Sequence, residues 1–205
     1  MNCWAILPVK SLALGKSRLS AILGAEQRAA LNRRLFGRVL EATQSHFSAD
    51  RIAVVTADAF LLALIRAQGL HGLEDPGEGL NAALGLACRH ALQRGARGVV
   101  VLSSDLPLVT AGDVAAMISA LGKTPSCVIA PDENEQGTNA LALSPPEADF
   151  FRFGEDSFQA HLDAARARGR TVRILRRSGL ALDLDTPESY RRYAKGQLAP
   201  SGAPA

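Results

Sequence analysis

The chain has 205 residues, which is long enough to bury a hydrophobic core and is a usual size for one domain. Its 23 Lys and Arg residues against 20 Asp and Glu residues leave a formal net charge of +3. So small an excess, with no long basic run, argues against a nucleic-acid binder and is compatible with small anionic ligands.

The cysteines and the apolar runs bear on where the protein works. Cys3, Cys88 and Cys127 are far apart and form no CxxC motif, so neither a zinc site nor a disulfide framework is indicated. We expect buried, reduced thiols. No signal-peptide pattern is visible, and no apolar run reaches the roughly 18 residues of a membrane span. A cytoplasmic protein without membrane partners is expected.

Apolar strand patterns alternate with amphipathic helix patterns along the chain. The predicted strands are 3–9, 51–56, 70–73, 98–103, 126–131, 138–143, 171–175 and 180–184. The predicted helices are 25–46, 58–67, 80–94, 110–121 and 156–168, with a last one from 187. This order predicts an α/β fold, with a largely parallel central sheet flanked by helices. We expect one domain over 1–195 and a disordered tail over 196–205, which is rich in Gly, Pro, Ala and Ser.

The loop after the first predicted strand carries three cations. Lys10, Lys16 and Arg18 fall within nine residues, with Gly15 as a flexible joint. Fixed cations and exposed backbone N–H groups at a strand end suit phosphates. The loop matches neither the Walker A pattern nor G-x-G-x-x-G. A solvated basic turn is the alternative, and spacing alone does not separate the two.

Three aspartates follow apolar segments and are candidates for a metal site. Asp105 comes directly after the most apolar strand, 98–103. Asp183 and Asp185 alternate with leucines, so in a strand they would share one face. Mg²⁺ needs only one or two carboxylates together with substrate phosphates and water. The alternative is a turn or helix cap, since Asp185 or Thr186 can cap a helix that begins at Pro187.

Two further motifs carry polar groups near predicted element ends. Thr138 lies in G-T-N-A-L, and Gly154 and Ser157 lie just before a predicted helix, where exposed N–H groups and a hydroxyl suit an anion. A plain helix cap is the alternative. The four histidines lack ligand spacing and favour structural roles, except His161, which follows the second motif by one helical turn. No nucleophile has an obvious base.

Taken together, these motifs resemble the CofC/FbiD family, the guanylyltransferases of coenzyme F420 biosynthesis. The resemblance covers 6–190 and rests on six motifs in order: P-V-K-x₅-K-S-R-L, G-L-N-A-A-L, D-L-P-L, G-T-N-A-L, F-G-x-x-S-F-x-x-H and D-L-D-T-P. It implies a GT-A, MobA-like nucleotidyltransferase fold. It also implies transfer of GMP from GTP to phosphoenolpyruvate, 2-phospho-L-lactate or 3-phospho-D-glycerate, with release of pyrophosphate. Such a reaction needs no general base, because the acceptor's phosphate is already ionised.

The resemblance also implies roles for individual residues. The roles are GTP phosphate binding for Lys10, Lys16 and Arg18, guanosine contact for Gly79 and Asn81, Mg²⁺ ligation for Asp105, Asp183 and Asp185, and acceptor-phosphate binding for Thr138, Gly154 and Ser157. The three cations and Asp105 would be the catalytic set. The choice between Asp183 and Asp185 as metal ligand stays open, as does the acceptor.

The sequence departs from the MobA-like pattern in its first loop. The Gly-rich first loop of MobA-like enzymes is absent, and Pro8-Val9-Lys10 stands in its place. A homodimer would fit the family. The alternatives are a MobA-like enzyme with another acceptor and a nucleotide-binding module without catalysis.

Overall fold

The computed structural model describes residues 2–13, 15–122 and 125–196. The strands of this part of the chain are β1 (Cys3–Pro8), β2 (Ile52–Thr56), β3 (His71–Glu74), β4 (Gly98–Leu102), β5 (Ser126–Pro131), β6 (Thr138–Ser144) and β7 (Thr171–Ile174). The α-helices are α1 (Ala25–Gln44), α2 (Ala59–Ala67), α3 (Leu80–Gln93), α4 (Ala111–Ala120), α5 (Ser157–Ala167), α6 (Ser178–Ala181) and α7 (Pro187–Ala194). Single 3₁₀ turns cover Ser17–Leu19 and Ala49–Arg51. Apart from Gly196, the predicted tail lies outside the described residues.

The seven strands form one sheet in the order β3-β2-β1-β4-β6-β5-β7. Only β6 runs against its neighbours β4 and β5, and the other neighbouring strands pair in parallel. The predicted largely parallel α/β sheet is therefore confirmed. Because the parallel strands end at one edge and β6 begins there, the loops that follow β1, β4 and β5 meet the start of β6.

Helices cover both faces of the sheet, because the strand side chains alternate between them. Leu7 of β1 packs in the core that α1, α2 and α4 cover, whereas Ile6 packs in the core beneath α3 and α5. Burial of such side chains contributes about 2 kcal/mol each. A third cluster, which contains Leu19, Leu182 and Leu184, lies under the first loop and the segment before α7.

The helix prediction at Asp58 is confirmed, since its carboxylate accepts a hydrogen bond from the Leu61 backbone N–H as an N-cap. The strand predicted for 180–184 is wrong. Residues 178–181 form the short helix α6, and the Asp183 segment that follows has no sheet partner. Leu182 and Leu184 are still buried, so the alternation of the sequence reports burial without strand pairing.

The three cysteines are buried free thiols, as predicted. Burial raises the pKa of Cys3 to about 11 and the pKa values of Cys88 and Cys127 to about 12. Within the described part of the chain, no helix is both long and apolar enough to cross a bilayer.

Candidate active site

A cleft of about 730 Å³ lies at the sheet edge where the parallel strands end. It brings together all but one of the residues that the sequence singled out. Those that line it are Lys10, Lys16, Arg18, Gly79, Asp105, Thr138, Gly154, Ser157, Asp183 and Asp185. The exception is Asn81. A cleft of this volume is the size of a small-molecule site.

The first loop is held over the cleft by backbone bonds and by one side chain from α1. The Asn32 amide donates a hydrogen bond to the Leu12 carbonyl at 3.0 Å. A Cβ at Gly15 would lie 2.7 Å from the same amide nitrogen, so the loop can pass Asn32 because residue 15 is glycine. Lys10 and Arg18 are exposed and lie at the cleft. They are available to an anionic ligand.

Lys16 reaches into the cleft and bridges two carboxylates. Its Nζ lies 2.8 Å from Oδ2 of Asp105 and 2.8 Å from Oδ1 of Asp185, and the lysine side chain is only 4% exposed. Its backbone is left-handed, with φ of 61°, which is uncommon outside glycine. Burial alone would lower the pKa of Lys16, but the two carboxylates outweigh it and the pKa is raised.

Asp105 is oriented from both sides. Besides the contact with Lys16, its Oδ1 accepts a hydrogen bond from the Ser103 hydroxyl at 2.6 Å. Burial opposes ionisation of this carboxyl group, yet the pKa is lowered because the Lys16 ammonium and the Ser103 hydroxyl favour the charged form. Asp105 is therefore a fixed anion at the end of β4.

Asp183 has the opposite environment. Burial, followed by the nearby charges of Asp105 and Asp185, raises its pKa to about 7, and Lys16 only partly offsets this. The carboxylates of Asp105, Asp183 and Asp185 thus lie close together with the Lys16 ammonium among them, and a further cation would relieve their repulsion. Among the described residues, however, no three His, Cys, Asp or Glu side chains are arranged to hold a metal ion as they stand. Lys16 occupies the place between two of them.

The opposite side of the cleft is formed by the start of β6 and the start of α5. The Thr138 backbone N–H donates to the Ser157 hydroxyl oxygen at 3.0 Å, and both residues are buried. Gly154 has φ of 141°, a conformation that strains any other residue. This side therefore presents two hydroxyl groups beside a helix N-terminus, where an anion is favoured.

Asn81 is hydrogen-bonded to this same side of the cleft. Its amide donates to the Phe153 carbonyl at 2.9 Å and accepts from the Phe153 N–H at 2.8 Å. The side chain is thus engaged with the backbone directly before Gly154. The guanosine contact predicted for Asn81 would require these two bonds to break, whereas Gly79, at the start of α3, lines the cleft itself.

His161 lies behind the two hydroxyls and is fully buried. Its Nδ1 lies 3.0 Å from the Thr138 hydroxyl oxygen, and its Nε2 accepts the Arg152 backbone N–H at 3.0 Å. Burial, together with the charge of Arg152, lowers the pKa of His161 to about 4, although a bond with the Ser157 carbonyl favours the protonated ring. The ring is neutral near neutral pH.

The sequence patterns gave no role to two of the cleft residues, Asp132 and Asn139. Asp132 follows β5 and accepts the backbone N–H groups of Gln136 and Gly137, so it shapes the turn before Thr138. Asn139 donates to the carbonyls of Leu180 and Ala181 and thereby fixes the segment that carries Asp183. An aspartate directly after an apolar strand, as at Asp105, was the signal available for Asp132.

Solved structures of nucleotidyltransferases share this fold. A nucleotidyl transferase from Methanothermobacter superposes with a TM-score of 0.63 at 15% identity, over 95% of this chain and 96% of that one. A 4-diphosphocytidyl-2C-methyl-D-erythritol synthase from Anaerococcus prevotii superposes with a TM-score of 0.62 at 13% identity, over 95% and 96% of the two chains. At these identities the likeness establishes the fold.

Sequence similarity identifies the family. The model of the family described as "Guanylyl transferase CofC like" matches residues 3–192, and the chain belongs to that family. A phosphoenolpyruvate guanylyltransferase of Rubrobacter xylanophilus is 44% identical over 94% of this chain and 93% of that protein. One from Sphaerobacter thermophilus is 39% identical over 99% and 97%. A 2-phospho-L-lactate guanylyltransferase of Methanothermobacter thermautotrophicus is 36% identical over 92% and 82%.

Proposed function

We propose that this protein transfers GMP from GTP to a small phosphorylated C3 acid, and that phosphoenolpyruvate is the preferred acceptor. One observation carries the proposal. The cleft places a loop of cations and three carboxylates opposite two hydroxyls at a helix N-terminus. A triphosphate and a second, smaller anion can thus be held face to face, as a phosphoryl-group transfer requires.

The nucleotide occupies the side of the cleft formed by the first loop and the start of α3. Lys10, Lys16 and Arg18 hold the triphosphate, and Gly79 lies beside the guanosine. Gly79 has φ of 93° and no heavy atom within 4 Å of an added Cβ, so the backbone leaves room for a ligand to approach closely. The apolar residues Leu80 and Ala83 of α3 line the same wall and suit a base.

The three aspartates match the donor preference of Mg²⁺, because it takes carboxylate, phosphate and water oxygens. Asp105, Asp183 and Asp185 would hold the ion together with substrate phosphates after Lys16 leaves the carboxylates. When bound, Mg²⁺ supplies charge neutralisation for the triphosphate. Lys16 lies two residues before Arg18 in the same loop. Once released from Asp105 and Asp185, it binds the GTP phosphates together with Arg18.

The acceptor occupies the side formed by Thr138, Gly154 and Ser157. An oxygen of its phosphate attacks the α-phosphorus of GTP, a new P–O bond forms, and the bond to the β-phosphate oxygen breaks. Pyrophosphate leaves with that electron pair, and the product is the guanylylated acid. Since the attacking oxygen is already ionised at neutral pH, no residue has to remove a proton. Lys16 and Arg18 stabilise the charge on the departing pyrophosphate.

The acceptor and the pathway rest on the relatives. The two most similar relatives quoted above are named for phosphoenolpyruvate, and the one named for 2-phospho-L-lactate is less identical. The product would be the activated donor for the side chain of coenzyme F420. A cytidylyl- or guanylyltransferase with a large pterin acceptor is not favoured, since it has no need of a small anion clamp. A homodimer stays a prediction.

The test is pyrophosphate release from GTP and Mg²⁺, with phosphoenolpyruvate, 2-phospho-L-lactate and 3-phospho-D-glycerate offered separately. We expect release with phosphoenolpyruvate and less with the other two. Folded protein that is silent with all three would refute the proposal. Folded protein that binds GTP yet never releases pyrophosphate would instead support a nucleotide-binding module without catalysis.

A further inference from the structure

His161 is a buried polar residue that the proposed reaction does not use. It is 0% exposed and lies between Phe150, whose ring stacks at 6.2 Å between centroids, and Phe153, whose ring meets it edge-on at 4.7 Å. Its Nδ1 and Nε2 both have hydrogen-bond partners. A buried, fully paired ring at the back of a ligand site can fix the direction of the bonds in front of it.

The hydrogen bonds determine which ring nitrogen carries the proton. The Arg152 backbone N–H can only donate, so Nε2 is the acceptor and is unprotonated. In a neutral ring the proton then lies on Nδ1, where the Thr138 hydroxyl oxygen, at 3.0 Å, and the Ser157 carbonyl can both accept it. The Thr138 hydroxyl cannot donate to a protonated Nδ1. Its hydrogen is therefore available to another acceptor, such as a ligand in the cleft that Thr138 lines.

The Ser157 hydroxyl is also oriented as a hydrogen-bond donor. Its oxygen accepts the Thr138 backbone N–H at 3.0 Å, so its own hydrogen is also left to donate. Ser157 and Thr138 both line the cleft. We propose that His161 is a positioning residue for the acceptor site. It orients the Thr138 hydroxyl directly, and Thr138 in turn orients the Ser157 hydroxyl through its backbone N–H, so that both hydroxyl groups donate hydrogen bonds to the anionic group of the acceptor.

This inference rests on the proposed function, because it concerns the acceptor side of the same cleft. It explains why a neutral imidazole lies here in place of a cation. An anion attracts a donor hydroxyl, and the fixed ring removes the alternative rotamer in which the Thr138 hydroxyl would point back into the protein. The energetic benefit lies in orientation that exists before the acceptor arrives.

Two amide variants of His161 test separately the hydrogen bond to Thr138 and the hydrogen bond to the Arg152 N–H. His161→Asn places an amide N–H near the position of Nδ1 and keeps the donor to Thr138. His161→Gln places its amide near the position of Nε2, keeps a partner for the Arg152 N–H and loses the donor. We expect the Gln variant to raise KM for the acceptor by about tenfold with KM for GTP unchanged, and the Asn variant to stay within about threefold of wild type. His90→Gln, a histidine replacement away from the cleft, should change neither KM.

The outcomes decide the inference separately from the proposed function. Equal KM changes for GTP and acceptor, or equal effects of the Asn and Gln variants, would overturn it. In the double variant His161→Gln with Thr138→Val, the acceptor KM should equal that of Thr138→Val alone, and additive effects would count against the coupling. If wild-type protein releases no pyrophosphate with any acceptor, the proposed function fails. The ¹⁵N shifts of the His161 ring then decide: a proton on Nδ1 supports the inference and a proton on Nε2 overturns it.

Discussion

The Lys16 ammonium lies 2.8 Å from the Asp105 carboxylate, and the lysine side chain is only 4% exposed. A paired carboxylate at the end of β4 thus meets a cation from the loop after β1, the two strands being neighbours in the sheet. The pair holds the cleft together without substrate. The proposed Mg²⁺ site would require this pair to open, because Lys16 contacts two of the three carboxylates that would hold the ion.

The first prediction concerns Asp105→Asn, a substitution that removes the negative charge with little change in side-chain size. Asp105→Asn should lower kcat by about 100-fold or more, because a fixed anion that orients the phosphate-binding machinery is lost. The fold should persist, since Asn can still accept from the Ser103 hydroxyl and is similar in volume. Pyrophosphate release measures the effect, and circular dichroism checks the fold.

The matched control for this change is Asp163→Asn. Asp163 is an exposed carboxylate on α5 whose contact with Arg166 is 3.5 Å long. An exposed pair of this kind contributes little, so activity and stability should both stay near the wild-type values. Turnover of Asp105→Asn as high as that of this control would contradict the proposed role of Asp105 at a metal site.

The second prediction tests two readings of Asn81. The sequence resemblance places it beside guanosine, whereas the structure engages its amide with both backbone groups of Phe153. If the structural contact is its role, Asn81→Ala should raise KM for the acceptor by about tenfold, since two hydrogen bonds of roughly 1 kcal/mol each position the acceptor loop. KM for GTP should change less than twofold. The reverse pattern would favour the guanosine contact.

The third prediction uses two glycines. Gly154→Ala has to place a side chain at φ of 141°, where no neighbour clashes but the backbone itself is strained, so we expect a loss of about 1–3 kcal/mol and a higher acceptor KM. Gly37 lies on the exposed face of α1 with open space around it. Gly37→Ala should increase the unfolding free energy by about 0.5–1 kcal/mol and leave both KM values unchanged.

Urea denaturation of both variants provides the comparison. The prediction requires opposite signs at the two sites, because the strain argument applies only where φ is positive. Equal destabilisation at both positions would show that the loss at Gly154 has another cause.

The fourth prediction concerns acid stability. The pKa of His161 falls from an ordinary value of 6.5 to about 4 through burial and the nearby charge of Arg152. The unfolded chain binds a proton at this histidine more readily than the folded protein does. The unfolding free energy is therefore unaffected by His161 above pH 6.5 and decreases as the pH falls from 6.5 toward 4. The full loss is about 3 kcal/mol. His90, whose pKa is also lowered to about 4, is more exposed and should contribute less.

The measurement is the unfolding free energy at pH 7.5, 5.5 and 4.5 for wild type and His161→Asn. The variant should be less stable at pH 7.5 but should have a shallower loss toward acid, since it has no ring to protonate. Parallel pH curves for the two proteins would show that His161 is not the residue responsible.

Much of the fold followed from the sequence because apolar periodicity reports burial directly. The strands and helices from Cys3 to Ala167 lie within a few residues of their predicted bounds. The failure at 180–184 has a physical reason. Its alternating leucines are buried, but its backbone is held by the Asn139 amide and not by a neighbouring strand, and pairing is not encoded in periodicity.

The site was predictable only in part, because it depends on which strand ends meet. The insertion of β6 between β4 and β5 puts Thr138 beside Ser103, whose N–H donates to the Asn139 carbonyl. No local pattern indicates an antiparallel strand at that place. Residues such as Asp132, whose carboxylate shapes the turn before Thr138 at the cleft, resemble ordinary caps in the sequence and are recognised once the turn is seen.

The last prediction concerns a buried cation far from the cleft. The Arg170 side chain is 1% exposed and pairs with Glu147. It also donates to the carbonyls of Ser126, Ser144 and Pro145 at 3.1, 3.2 and 2.8 Å. It thus joins the start of β5, the end of β6 and the loop after β6. Arg170→Met would keep the apolar volume but leave these oxygens without their donor.

We expect Arg170→Met to lower the unfolding free energy by roughly 3 kcal/mol, because several buried acceptors lose a charged partner at once. Arg166→Met, whose arginine is 65% exposed and makes one long contact with Asp163, should cost less than about 0.5 kcal/mol. Urea denaturation of the two variants measures the difference. Neither change should alter KM for GTP or acceptor, since neither arginine lines the cleft. Equal unfolding free energies of the two variants would contradict the prediction and would mean that water replaces the hydrogen bonds that the carbonyls lose in Arg170→Met.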